Sequence, residues 1–63
     1  MIIETARKND YVIITDNQNS MGSWESRLYV EDGNEKIASH YICASHKTLN
    51  GAKRWALNKI AEV

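Results

Sequence analysis

The chain has 63 residues, eight Lys and Arg against eight Asp and Glu, a single cysteine and no proline. A chain of this length forms one domain that buries only about 60% of the surface its unfolded form exposes, which leaves few residues for a deep pocket. Balanced charge excludes the global basic field behind non-specific nucleic-acid binding. With Cys43 alone and no Cys/His quartet, neither a disulfide nor a zinc site can staple the fold, so a reducing, cytoplasmic setting without metal or cofactor is expected.

The start, Met1-Ile2-Ile3-Glu4, lacks the basic and long apolar regions of a secretory signal, and no apolar run nears the roughly 20 residues that span a bilayer. No membrane association is therefore expected. Met1 to Arg7 sustains neither a period of two nor one of 3.6 and reads as an extended lead-in or a short extra edge strand. Lys8-Asn9-Asp10 makes a polar break before Tyr11-Val12-Ile13-Ile14-Thr15, a run of β-branched and aromatic residues that predicts a strand. Asp16 to Ser23 is a polar cluster, expected to be a long, mobile loop.

Two alternating segments follow, Trp24 to Val30 and Glu35 to Cys43, separated by Asp32-Gly33, a pair that strongly favours a two-residue hairpin turn. With that pair at the turn, Glu31 faces Asn34, Leu28 faces Ile37, Trp24 faces Tyr41, Arg27 faces Ala38 and Glu25 faces His40. One sheet face then carries Val12, Ile14, Trp24, Leu28, Val30, Ile37, Tyr41 and Cys43, and reads as the core. The other carries Glu25, Arg27, Tyr29, Lys36, Ala38, His40 and Ile42.

Thr48 to Val63 predicts a helix, with Leu49, Ala52, Ala56, Ile60 and Val63 forming one apolar stripe. Thr48 is placed to cap it, worth about 1 kcal/mol. Gly51 costs roughly 1 kcal/mol against alanine within a helix, which points either to the frayed first turn or to a close backbone approach. The expected fold is a single α+β domain of order βββα, spanning 1–63, with a three-stranded antiparallel sheet covered on one face by the C-terminal helix.

Candidate chemistry is sparse. His40 and His46 come from different elements with no third ligand beside them, which makes a poor metal site. Cys43 falls on the expected core face, where a thiol is inert. Ser39 has no nucleophile elbow around it, and no phosphate loop or carboxylate pair occurs, so an enzyme is not expected. The open sheet face is the candidate binding surface, through Arg27, Tyr29, Lys36, His40 and Ile42, because Arg and Tyr are enriched in interface hot spots and Ile42 adds apolar area. Trp55, at the edge of the helix stripe beside Arg54, reads as core wedged on the sheet edge or as a partly exposed anchor.

Lys47-Thr48-Leu49-Asn50-Gly51-Ala52-Lys53-Arg54-Trp55-Ala56, about a sixth of the chain, resembles the closing helix of many short phage-encoded proteins, which end in a Thr-Leu-x-x-Ala-Lys-x-Trp-Ala pattern. That resemblance implies an accessory product of a mobile element and assigns no residue a role. The element order is also similar to the second half of double-stranded RNA-binding domains, with Lys47, Lys53 and Arg54 at the start of the closing helix, although their first helix is absent. A third similarity is to the DNA-reading sheets of integrase arms and plant AP2 domains, where Arg27, Tyr29, Lys36 and His40 would be the readers and Glu25 and Glu31 would oppose phosphate. The combined expectation is a non-enzymatic module that binds and inhibits or modulates a host protein. A nucleic-acid-binding module is the alternative, and a homodimer through the open face or a sheet edge is about as expected as a monomer.

Overall fold

The computed structural model describes residues 1–63, apart from the side chain of His40. Four strands and one helix follow in order: β1 (Ile2–Lys8), β2 (Tyr11–Asp16), β3 (Trp24–Asp32), β4 (Glu35–His46) and α1 (Leu49–Ile60). The sheet is antiparallel throughout, in the order β1-β2-β3-β4. The α+β class and the single covering helix agree with the sequence, but the sheet has four strands rather than three. The N-terminal segment is a full edge strand, paired with β2 from Ile2↔Asp16 to Lys8↔Tyr11. Its alternation is hidden because the register slips between Glu4 and Ala6, so one face repeats out of step.

Short connections fix the meander. Asn9 takes a left-handed φ of 57° in the turn between β1 and β2, a conformation asparagine tolerates better than most residues. Between β2 and β3, Asn19 organises the polar loop. Its Oδ1 accepts from the backbone N–H groups of Met21 (3.0 Å) and Ser23 (3.2 Å), and its Nδ2 donates to the Ser23 carbonyl (2.6 Å).

The β3–β4 hairpin closes one residue later than the sequence suggests. Asp32 pairs with Glu35, leaving Gly33-Asn34 as the central pair with Gly33 at φ 65°. Glycine at the first central position suits a type II′ turn, which, like I′, matches strand twist. Pairing continues through Glu31↔Lys36, Val30↔Ile37 and Tyr29↔Ala38, and resumes at Arg27↔Cys43, Ser26↔Ala44, Glu25↔Ser45 and Trp24↔His46. Ser39 to Ile42 are thus accommodated opposite Leu28 alone. The Ser39 hydroxyl holds this irregularity by accepting from the N–H groups of Tyr41 (3.2 Å) and Ile42 (3.1 Å).

This irregularity changes which residues of β4 face the helix: Ile37 before it, Ala44 and His46 after it. Several face assignments are corrected in consequence. Cys43 is exposed opposite Arg27, Tyr41 is 93% exposed and Ile37 is 54% exposed, so none is core. Ile42 leaves the open face and packs against the core beneath the helix. Glu25 faces Ser45, not His40, and the side chain of His40 lies outside the described residues. On β2 the phase is opposite to expectation. Ile13 and Thr15 face the helix, opposite Leu28 and Ser26, whereas Val12 and Ile14 face away, opposite Tyr29 and Arg27.

The core joins Ala6, Ile13 and Leu28 of the sheet to Ala56 and Ile60 of α1, with Ile42, Trp55 and Val63 packed around them. Ala52 and Ala56 let the helix backbone approach the sheet closely, and Leu49 and Val63 are half-buried at the two ends of the stripe. Thr48 caps α1 as expected, its hydroxyl accepting from Gly51 N–H at 3.1 Å. Gly51 lies in the first turn, where an added Cβ would come within 3.2 Å of that hydroxyl. Buried hydroxyls cross the helix-side face as a chain: Thr5 Oγ1 to Thr15 Oγ1 at 3.0 Å, and Thr15 Oγ1 to Ser26 Oγ at 2.7 Å. Each buried oxygen is satisfied by its neighbour, so the polar pair Thr15 and Ser26 sits in the core without the cost of an orphaned group.

Candidate functional site

The sheet face turned away from α1 is built from two dissimilar halves. Toward the β1–β2 turn, Arg7 donates from Nη2 to Glu4 Oε1 (2.6 Å) and to Glu31 Oε1 (2.7 Å), and so reaches from β1 to β3 across β2. Val12 is the β2 residue between them on this face, paired with Arg7 on one side and Tyr29 on the other, and it is fully buried. The ion network therefore roofs an apolar side chain that has no helix above it. Hydrogen bonds from Arg7 hold the carboxyls of Glu4 and Glu31 below the usual glutamate value of about 4.5, and those same bonds raise the guanidinium of Arg7.

At the other end the face is open. Ile14, Asp16, Glu25, Arg27, Tyr29, Cys43 and Ser45 line a broad depression of about 430 Å³. Asp16 and Glu25 stand directly opposite each other on β2 and β3. Like charges so placed are mildly unfavourable, and no cation forms an ion pair with either among the described residues. Arg27, two residues along the same face, likewise has no ion-pair partner. Its cross-strand neighbours are Ile14 and Cys43. Two carboxylates, a guanidinium, a half-buried tyrosine ring and an exposed thiol thus share one concavity, and among the described residues their charges form no ion pair.

The residues singled out in the sequence divide accordingly. Arg27 and Tyr29 are brought together in the depression, and Lys36 lies on the same face at the hairpin end, opposite Glu31. Ile42, Arg54 and Trp55 are not part of it. Arg54 is exposed on the helix, and Trp55 is half-buried against the core, its ring centroid 5.7 Å from that of His46 and 5.9 Å from the Lys59 ammonium. Asp16, Cys43 and Ser45 were missed. Asp16 reads as loop in the sequence, and the placement of the other two depends on the Ser39 irregularity. The described residues contain no group of three or more His, Cys, Asp or Glu placed to hold a metal ion, and no described helix is long and apolar enough to cross a membrane. No family model, curated protein or solved structure matches the chain.

Proposed function

We propose that this chain is a small non-enzymatic binding module, of the accessory kind carried by phages and mobile elements, that occupies a host protein surface through the Asp16–Glu25–Arg27–Tyr29 depression. The observation that carries the reading is the unmatched charge there. Two acids set opposite each other beside an arginine, in one concavity with a half-buried tyrosine, form a local conflict of the kind that proteins keep at functional sites. A partner protein completes it by placing a Lys or Arg between Asp16 and Glu25 and a carboxylate on Arg27, while Tyr29 supplies a rigid, amphipathic anchor. The resemblance of the Thr48-to-Ala56 segment to closing helices of phage-encoded proteins supports the source.

Nucleic acid is the weaker candidate. The depression carries two acids against one arginine; of the other cations on this face, Arg7 is engaged by Glu4 and Glu31, and Lys36 lies at the hairpin end opposite Glu31, outside the depression. Phosphates would meet net negative charge. The test is affinity capture from a bacterial lysate with the wild type, Arg27→Ala and Glu25→Lys, each checked for an unchanged circular dichroism spectrum. A stoichiometric protein retained by the wild type and lost by both variants is the expected result. Salt-sensitive nucleic-acid retention that Glu25→Lys strengthens would overturn the reading.

A further inference from the structure

We propose that the free edge of β4 pairs with the β4 edge of a second copy, antiparallel and in full overlap, to continue the sheet across a two-fold axis. The two free edges of the sheet are protected unequally. On β1, the Thr5 bulge, Glu4, Arg7 and Lys8 guard the edge, and the Lys8 ammonium is tied to the Val63 carbonyl. From Ile37 to Ser45, β4 carries no Asp, Glu, Lys or Arg, and Tyr41 near its middle is 93% exposed. The Ser39 irregularity interrupts this edge between Ala38 and Cys43, but the flanks on either side of it are regular and carry no charged guard from Ile37 to Ser45, and such edges are the kind that other strands join.

The register follows from faces and charges. A two-fold axis perpendicular to the sheet keeps both helices on one side, so each helix-side residue must oppose a helix-side residue of the other copy. Ile37 faces the helix before the irregularity and Ala44 after it. Full overlap satisfies this condition: Glu35 meets His46 of the second copy, Lys36 meets Ser45, Ile37 meets Ala44 and Ala38 meets Cys43. Both copies are shortened identically between Ala38 and Cys43, so the flanks on either side stay in step. Sliding by one residue puts helix-side against open-face residues. Sliding by two in one direction sets Lys36 against Lys47, a like-charge pair made twice. Only full overlap uses the whole strand without such a clash, and this self-complementarity names a second copy as the occupant. Pairing at the edge sets Ala38 and Lys36 of the second copy beside Cys43 and Ser45 at the β4 border of the depression, but it does not engage Asp16, Glu25, Arg27 or Tyr29 on β2 and β3, so this proposal and the partner-binding reading can fail separately.

Two measurements test it. In a Cys43→Ser background, Lys36→Cys with Ser45→Cys places two thiols about 20 Å apart within one chain, the six steps from Glu25 to Glu31 on β3, but adjacent between copies. Mild oxidation should yield a covalent dimer from this pair and not from Ala38→Cys with Ser45→Cys, which reports the same two-residue shift while keeping Lys36 and Lys47 in place. Separately, Ser45→Lys faces Glu25 favourably within the chain but Lys36 unfavourably across the axis. Sedimentation equilibrium should show its dimer about tenfold weaker than the wild type with no loss of thermal stability. A wild type that stays monomeric up to about millimolar concentration, or a shifted pair that cross-links as readily, would overturn the proposal.

Discussion

The two halves of the open sheet face use the same kinds of residue to opposite ends. Near the β1–β2 turn, one arginine is shared by two glutamates and the assembly seals Val12. Near Asp16, two carboxylates face each other and one arginine stands by, with no ion pair to any of the three among the described residues. The first half behaves as a second, miniature core on the side of the sheet that the helix does not reach. The second is an open depression, whereas the first is closed over Val12. In a small domain with a modest apolar core under α1, charge seals one half of this face and leaves the other open, the half we propose for recognition.

This contrast can be broken most sharply on β2, where Val12 and Ile14 lie on the same face in different halves. Val12→Ala should cost about 2 kcal/mol in chemical denaturation, the transfer and cavity terms of a fully buried valine. Ile14→Ala, although it removes more atoms, should cost less because its side chain already meets solvent. Equal losses would mean that the depression is packed as tightly as the roofed half. On the helix side, Thr15→Val keeps the shape but takes from Ser26 the hydroxyl partner at 2.7 Å, and should cost about 1–2 kcal/mol by the same measurement. A neutral result would show that the buried hydroxyl chain is not a stability determinant.

The roof itself is tested by pH. Glu4 and Glu31 have folded pKa values below the unfolded one, so their contribution to stability is present above about pH 4.5 and is lost as pH falls through the lowered values. The melting-temperature difference between the wild type and Arg7→Gln should therefore be largest near neutrality and shrink to nothing in strong acid. A difference that persists unchanged at low pH would assign the role of Arg7 to its aliphatic stem, packed on Val12, rather than to its charge.

Much of this architecture is legible in the chain. The Thr48 cap and the Ala52–Ala56–Ile60 stripe give the helix, and alternation alone places Glu25, Arg27 and Tyr29 on one face of β3. What misleads is phase. Val12-Ile13-Ile14 is apolar without interruption, so periodicity cannot choose between its faces. The deciding contact is polar, Thr15 against Ser26. In β4 the alternation is read through an irregularity that only the hydroxyl of Ser39 stabilises, and nothing in residue spacing announces that Ser39 accepts two backbone N–H groups instead of facing solvent. The reversal of Ile42 and Cys43 follows from that one feature, and with it the β4 side of the depression. The roof over Val12 is equally hidden, because Glu31 joins Arg7 and Glu4 from a strand distant in sequence.

The most direct test of the central contrast is the sign of the change in melting temperature for one charge removed from each half, measured at neutral pH and low salt. Asp16→Asn relieves the repulsion with Glu25 and retains an oxygen for the Gln18 N–H, now at 3.2 Å. It should raise the melting temperature by a few degrees, corresponding to a few tenths of a kcal/mol. Arg7→Gln should lower it. A fall for Asp16→Asn matching that for Arg7→Gln would show that the Asp16 carboxylate is already satisfied within the chain, and would contradict the account of the depression as a surface left for a partner to complete.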